Sequence, residues 1–75
     1  MFDKNVFGNR IRSLRKARGV SQTDLGKALS FYKSRISDIE NGKNSTTIEN
    51  LYALAKYFDV SSDYLIGLTD NPDPK

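Results

Sequence analysis

The chain has no cysteine, no histidine and no tryptophan, and its only two prolines fall in the last four residues. Without thiols, neither a disulfide nor a thiolate metal site can form. Without imidazole, the usual zinc sites and His-based acid–base or nucleophilic chemistry are excluded as well. Long apolar runs are missing too. Nothing approaches the roughly 20 residues that a membrane-crossing helix needs, and the opening MFDKNVFGNR lacks the apolar stretch of a secretory signal. A cytoplasmic location and no membrane partner are the expectation. No phosphate-cradling glycine loop, internal repeat or low-complexity tract is present, and the titratable groups left are isolated carboxylates and lysines. No enzyme activity, metal or cofactor is expected.

What remains is a chain of 75 residues, enough for one small domain. A core of that size supplies about 3–5 kcal/mol of net stability, which favours an economical all-α bundle. The formal charge is only +3, but it is unevenly placed. Residues 1–43 hold ten bases (Lys4, Arg10, Arg12, Arg15, Lys16, Arg18, Lys27, Lys33, Arg35 and Lys43) against Asp3, Asp24, Asp38 and Glu40. Residues 44–75 hold Lys56 and Lys75 against five acids, so the halves carry +6 and −3. Such asymmetry suggests one surface facing a polyanion and another facing away.

Apolar periodicity and cap signals divide the chain into five helices. Phe7, Ile11, Leu14 and Ala17 recur at helical spacing, predicting a helix over 5–18 stopped by Gly19. Ser21 then caps a second helix over 22–29, with Asp24 well placed in its first turn. A third covers 33–41 and stops at Gly42. Thr46-Thr47-Ile48-Glu49 has capping-box spacing and opens a fourth over 47–58, with Ile48, Leu51, Tyr52, Ala55 and Phe58 as its apolar stripe. Ser61 or Ser62 opens a short fifth helix ended by Gly67. The domain is expected to span 1–68, followed by an extended or disordered tail over 69–75.

The stretch QTDLGKALSFYKSRISDIENG, from Gln22 to Gly42, is the most informative part. Leu25, Ala28 and Leu29 mark one side of the first helix, and Gly26 permits close backbone approach. Ile36 and Ile39 mark the buried side of the second, leaving Lys33, Ser34, Arg35, Ser37 and Asp38 to face outward. A rigidly held helix with a polar outer face is suited to reading base edges in a DNA major groove. In spacing this stretch resembles the helix-turn-helix of the lambda/434 repressor and Cro (XRE) family. The resemblance runs from about Gly8 to Leu68, through Arg10-Ile11, Leu14-Arg15, Gly19-Val20-Ser21-Gln22, Ile36 to Lys43, Leu54-Ala55-Lys56, Val60-Ser61, Asp63 and Leu65-Ile66-Gly67. It implies a five-helix lambda-repressor-like domain with the helix-turn-helix at helices two and three.

That resemblance also implies roles. Gln22, Lys33, Ser34, Ser37 and Asp38 match positions that face or support base contacts. A lysine donates to guanine O6 and N7, a serine is less selective, and an aspartate accepts from cytosine N4 or rejects wrong sequences. Asn41 and Lys43, framing Gly42, with Arg10, Ser21 and Arg35, are candidate phosphate contacts. Arg15 and Glu40 match a charged pair that ties helix one to the end of helix three. Three residues depart from the family pattern. Ser30 occupies a corner where glycine is common, Gly26 replaces the usual alanine, and Thr46 stands where a proline often precedes helix four. Tyr32 also falls where a small capping residue is usual.

The expected function is sequence-specific binding of double-stranded DNA by a transcriptional repressor of phage or bacterial type. One reading helix covers few base pairs, so a homodimer on a roughly palindromic operator is expected, with Ile66 or Leu68 on the acidic helices four and five as candidate dimer contacts. The alternative is a protein-interaction module of the same fold, bound by a toxin, peptide or anti-repressor, with DNA affinity secondary.

Overall fold

The structure, a computed structural model, describes residues 1–74; Lys75, the last residue of the expected tail, lies outside the described residues. Helices α1 (Lys4–Ala17), α2 (Gln22–Leu29), α3 (Lys33–Glu40), α4 (Ile48–Phe58) and α5 (Ser62–Leu65) follow one another, with no strand among the described residues. Four begin on side-chain caps that accept a free backbone N–H. These are Asp3 from Asn5 N (2.8 Å), Ser21 from Asp24 N (3.0 Å), Thr47 from Asn50 N (3.2 Å) and Ser61 from Tyr64 N (3.0 Å). Of the two threonines available to open α4, Thr47 caps it, while the Thr46 hydroxyl oxygen is buried without a partner among the described residues. Only α3 starts uncapped: Tyr32 stands in the cap position, exposed, and makes no cap hydrogen bond.

Phe7, Ile11, Leu25, Ile36, Ile39, Leu54, Phe58 and Leu65 form the buried centre, drawn from all five helices. α1 packs on both α3 and α5, and α2 packs on α3. Leu14, Leu29 and Leu51 pack partly buried against it, and four other expected members of apolar stripes are exposed. Ala17 and Ala28 are exposed, and so are Ile48 and Tyr52, which α4 turns outward at 82% and 65% exposure. Helix four is apolar around more of its circumference than a core this small can cover.

The α2–α3 corner has two backbone constraints. At Ser30 the chain is left-handed (φ 59°, ψ 37°), where a Cβ costs about 1–2 kcal/mol. Ser30→Gly should therefore raise stability by about 1 kcal/mol, read as a melting temperature some 4–8 °C higher; an unchanged or lower value would show that the serine relieves that strain. At Gly26 a Cβ would stand 2.8 Å from the Phe31 carbonyl oxygen, so the alanine usual in the family would have to displace the corner. The tail over 69–74 is non-helical and doubles back on the domain, with Ser61 N donating to the Pro72 carbonyl (3.0 Å).

Candidate nucleic-acid interface

Helix α3 is pinned from below and open above. Ile36 and Ile39 are buried, whereas Lys33, Ser34 and Arg35 in its first turn are exposed and Ser37 and Asp38 are half-buried. Tyr32, Ser34, Arg35 and Asp38 line a shallow groove with Asn44 and Ser45 from the following loop. No ion pair involves Lys33, Arg35 or Lys43 among the described residues, though the Arg35 guanidinium lies 5.5 Å over the Phe31 ring. Asp38 is partly engaged, accepting a long hydrogen bond from Asn44 Nδ2 (3.5 Å). Gly42, at φ 74°, then turns the chain so that Lys43 N donates to the Asp38 carbonyl (2.9 Å) and its side chain is left in solvent.

The pin is Glu40. Its side chain is wholly buried at the end of α3, where Arg15 grips it through Nε (2.6 Å) and Nη2 (3.0 Å). Gln22 Nε2 donates to the same carboxylate (3.1 Å), and Arg12 Nε approaches it at 3.5 Å. Arg15 Nη1 also donates to the Val20 carbonyl (2.9 Å), tying in the α1–α2 loop. Burial alone pushes the Glu40 carboxyl up. The hydrogen bonds from Arg15 and Gln22 and the Arg15 charge outweigh it and hold the group below the usual carboxylate range. Three segments thus meet on one charge, and α3 cannot rotate without breaking it.

Two of the expected contact residues are engaged inside the domain. Arg10 faces away from α3. Its guanidinium donates to the Tyr64 and Thr69 carbonyls (2.6 Å to the latter), pairs with Asp70 (2.8 Å) and stacks 4.2 Å over the Tyr64 ring. With these donors so occupied it anchors α5 and the tail. Gln22 directs an amide N–H inward to Glu40, so it braces α3. Ser21 accepts from Asp24 N through its hydroxyl oxygen, which leaves the hydroxyl proton able to donate outward.

Arg12 and Arg18, outside the expected site, are also engaged in the fold. Arg12 Nη2 donates to Asn41 Oδ1 (2.7 Å). Arg18 closes the end of α4, donating to the Tyr57 (3.0 Å) and Phe58 (2.6 Å) carbonyls. The basic excess of residues 1–43 is thus partly internal, since Arg10, Arg15 and Arg18 hold the fold together.

Residues 11–65 match the family model described as helix-turn-helix. The chain belongs to the helix-turn-helix family. This domain is 37% identical over 70 residues to the HTH-type transcriptional regulator YobD of Bacillus subtilis (strain 168), covering 93% of the chain and 62% of that protein. It is 38% identical over 61 residues to repressor protein C2 of Salmonella phage P22, covering 81% of the chain and 28% of the repressor. Among solved structures, the P22 c2 repressor in complex with a synthetic operator superimposes with a TM-score of 0.77 at 38% identity, over 80% of this chain and 91% of that one. The restriction-modification controller protein C.AhdI of Aeromonas hydrophila does so at 0.76 and 32%, over 84% and 96%. The helix-turn-helix domain therefore spans under two thirds of the length of the Bacillus and phage relatives.

Proposed function

We propose that this domain binds double-stranded DNA sequence-specifically and regulates transcription as a homodimer on a roughly palindromic operator. The observation that carries the reading is the outer face of α3. It is exposed, carries donors of both charged and neutral kinds, and is held in one orientation by the buried Glu40 cluster. The solved complex of the P22 c2 repressor with operator DNA supports it, at 38% identity over most of both chains. Lys33 and Ser34 read bases, with Ser37 and Asp38 set deeper; Lys43, Asn41, Ser21 and Arg35 contact phosphates. The reading assigns the domain no catalytic role and places it in the cytoplasm.

A second copy finds support on α4 and α5. Leu68 is exposed as expected, whereas Ile66 packs partly against the core. Ile48 and Tyr52 supply the outward apolar surface instead, and line one groove with Lys56, Asp59 and Asp63. An apolar patch beside charges of both signs suits a two-fold pairing in which each copy presents the same surface.

Selection of bound sequences from a random duplex library at fixed salt tests this reading. A palindromic consensus with half-sites about 34 Å apart, or a multiple of that, is expected; no enrichment over random duplex would turn the reading towards a protein-interaction module. Lys33→Ala should relax preference at one base position by about 1–3 kcal/mol. Lys43→Ala should weaken all duplexes alike and lower the log–log salt slope by about 0.9. The same loss on every sequence for both variants would remove Lys33 from the reading set.

A further inference from the structure

The cluster around Glu40 holds two guanidinium groups and one carboxylate, so it carries one positive charge too many for itself. The surplus is unevenly placed. Arg15 satisfies Glu40 bidentately and is nearly enclosed, with 11% of its side chain exposed. Arg12 reaches the same carboxylate only at 3.5 Å, keeps 36% of its side chain exposed and extends past it to Asn41 at the end of α3. Its Nη2 donates to Asn41 Oδ1, which fixes the sense of that amide. The oxygen is taken by Arg12, and the Nδ2 donor is left on the outer side with only a long approach to the Ser37 hydroxyl (3.4 Å). Arg12, Asn41 and the solvent-facing Lys43 thus lie together around the C-terminal end of α3, the first two joined directly and all three able to donate.

We infer that Arg12, with the Asn41 amide it orients, forms a phosphate-binding site at the end of α3, and is the contact that helix α1 makes with the nucleic-acid backbone. This rests on the DNA-binding reading above and assigns the charged contact on α1 to Arg12, whereas Arg10 belongs to the tail. Chemically the site takes a phosphodiester oxygen between a guanidinium already pre-oriented by Glu40 and an amide N–H. Arg12 has one further consequence as a positioning residue: without its bond to Oδ1, the Asn41 amide is free to turn its oxygen outward and repel the phosphate.

Binding of the selected duplex across a range of salt concentrations tests this with Arg12→Gln and Arg12→Lys, alongside wild type, with melting temperature recorded for each. Arg12→Gln should lower the log–log salt slope by about 0.9 while keeping the base preferences of wild type. Arg12→Lys keeps the charge and should keep the slope. A wild-type slope in Arg12→Gln, or a loss in Arg12→Lys equal to that in Arg12→Gln, would overturn the site. If wild type itself bound no duplex selectively, the DNA-binding reading would fail first, and the two failures are told apart by that control. Should Arg12→Gln prove too unstable to assay, Arg12→Met, which keeps the aliphatic stem and removes the charge, is read in its place: a slope lower by about 0.9 is expected, and a wild-type slope would overturn the site.

Discussion

Replacing Arg15 with leucine should destabilise the domain by about 3–5 kcal/mol, as expected when a buried ion pair loses one member. That is as large as the whole net stability a core of this size provides, about 3–5 kcal/mol, so the variant should be largely unfolded at 25 °C. The physical reason lies in what the variant leaves behind. Glu40 has no exposed side-chain surface and loses both of its short hydrogen bonds from Arg15. Gln22 remains at 3.1 Å and Arg12 at 3.5 Å, neither of which replaces a bidentate guanidinium. Urea denaturation followed by circular dichroism reads the loss. A change below about 1 kcal/mol would mean that the pair behaves like an exposed one, and the account of α3 as pinned by Glu40 would be wrong.

The same substitution should reverse the pH dependence that Glu40 contributes. In wild type the folded carboxyl sits below its ordinary value, so its contribution is present above the unfolded pKa, about 4.3, and is lost as pH falls through the folded value. In Arg15→Leu burial, the largest influence on this group, is opposed only by Gln22 and Arg12. The folded pKa then rises above the unfolded one. Stability from this group becomes greatest below pH about 4.3 and falls as pH rises through the folded pKa. The Glu40 contribution to wild-type denaturation midpoints should therefore be level from pH 7 down to about 5 and fall away as pH drops below about 4.3. In the variant, followed at low temperature on the fraction still folded, it should fall as pH rises above about 4.3.

Much of this fold is legible because short helices announce their ends chemically. Ser21 with Asp24 marks where α2 begins, and the structure places it at Gln22–Leu29, ended by a left-handed Ser30. What periodicity cannot show is how much apolar surface finds a partner. Ile48 and Tyr52 fit the stripe of α4 as well as Leu51 and Ala55 do, yet the neighbouring helices reach only part of that stripe. Arg10 and Arg12 teach a sharper lesson. Two residues apart on a helix means about 200° of rotation, so only one of them can face α3. Arg15 already points to Glu40, and Arg12, three residues before it, shares that face. The signal that Arg12 and not Arg10 adjoins the reading helix was therefore present in the spacing. The destination of Arg10 was not, because it depends on a tail whose return path no local pattern encodes.

Gly8 lies on that same α1 face, one turn before Arg12, and alanine there should be strongly destabilising although alanine is the better helix former. On an exposed helix, Gly→Ala gains about 1 kcal/mol. Here the backbone of α1 crosses the end of α3 so closely that a Cβ would lie 2.8 Å from the Glu40 carbonyl oxygen and closer still to that of Ile39. Both obstacles are main chain at the end of a buried helix, so neither can rotate aside as a side-chain tip would. The strain has one outlet, separation of α1 from α3, which pulls Arg15 and Arg12 away from Glu40 and Asn41. Overpacking of this kind costs about 1–3 kcal/mol, with the upper end expected for backbone contacts. A melting temperature lower by about 4–8 °C per kcal/mol should result. On the proposed DNA-binding reading, affinity in the residual folded fraction should drop further than stability alone explains, since α3 is re-aimed. Wild-type melting and affinity in Gly8→Ala would mean that the two helices are farther apart than the contact at Glu40 requires, and the pinning of α3 would need another cause.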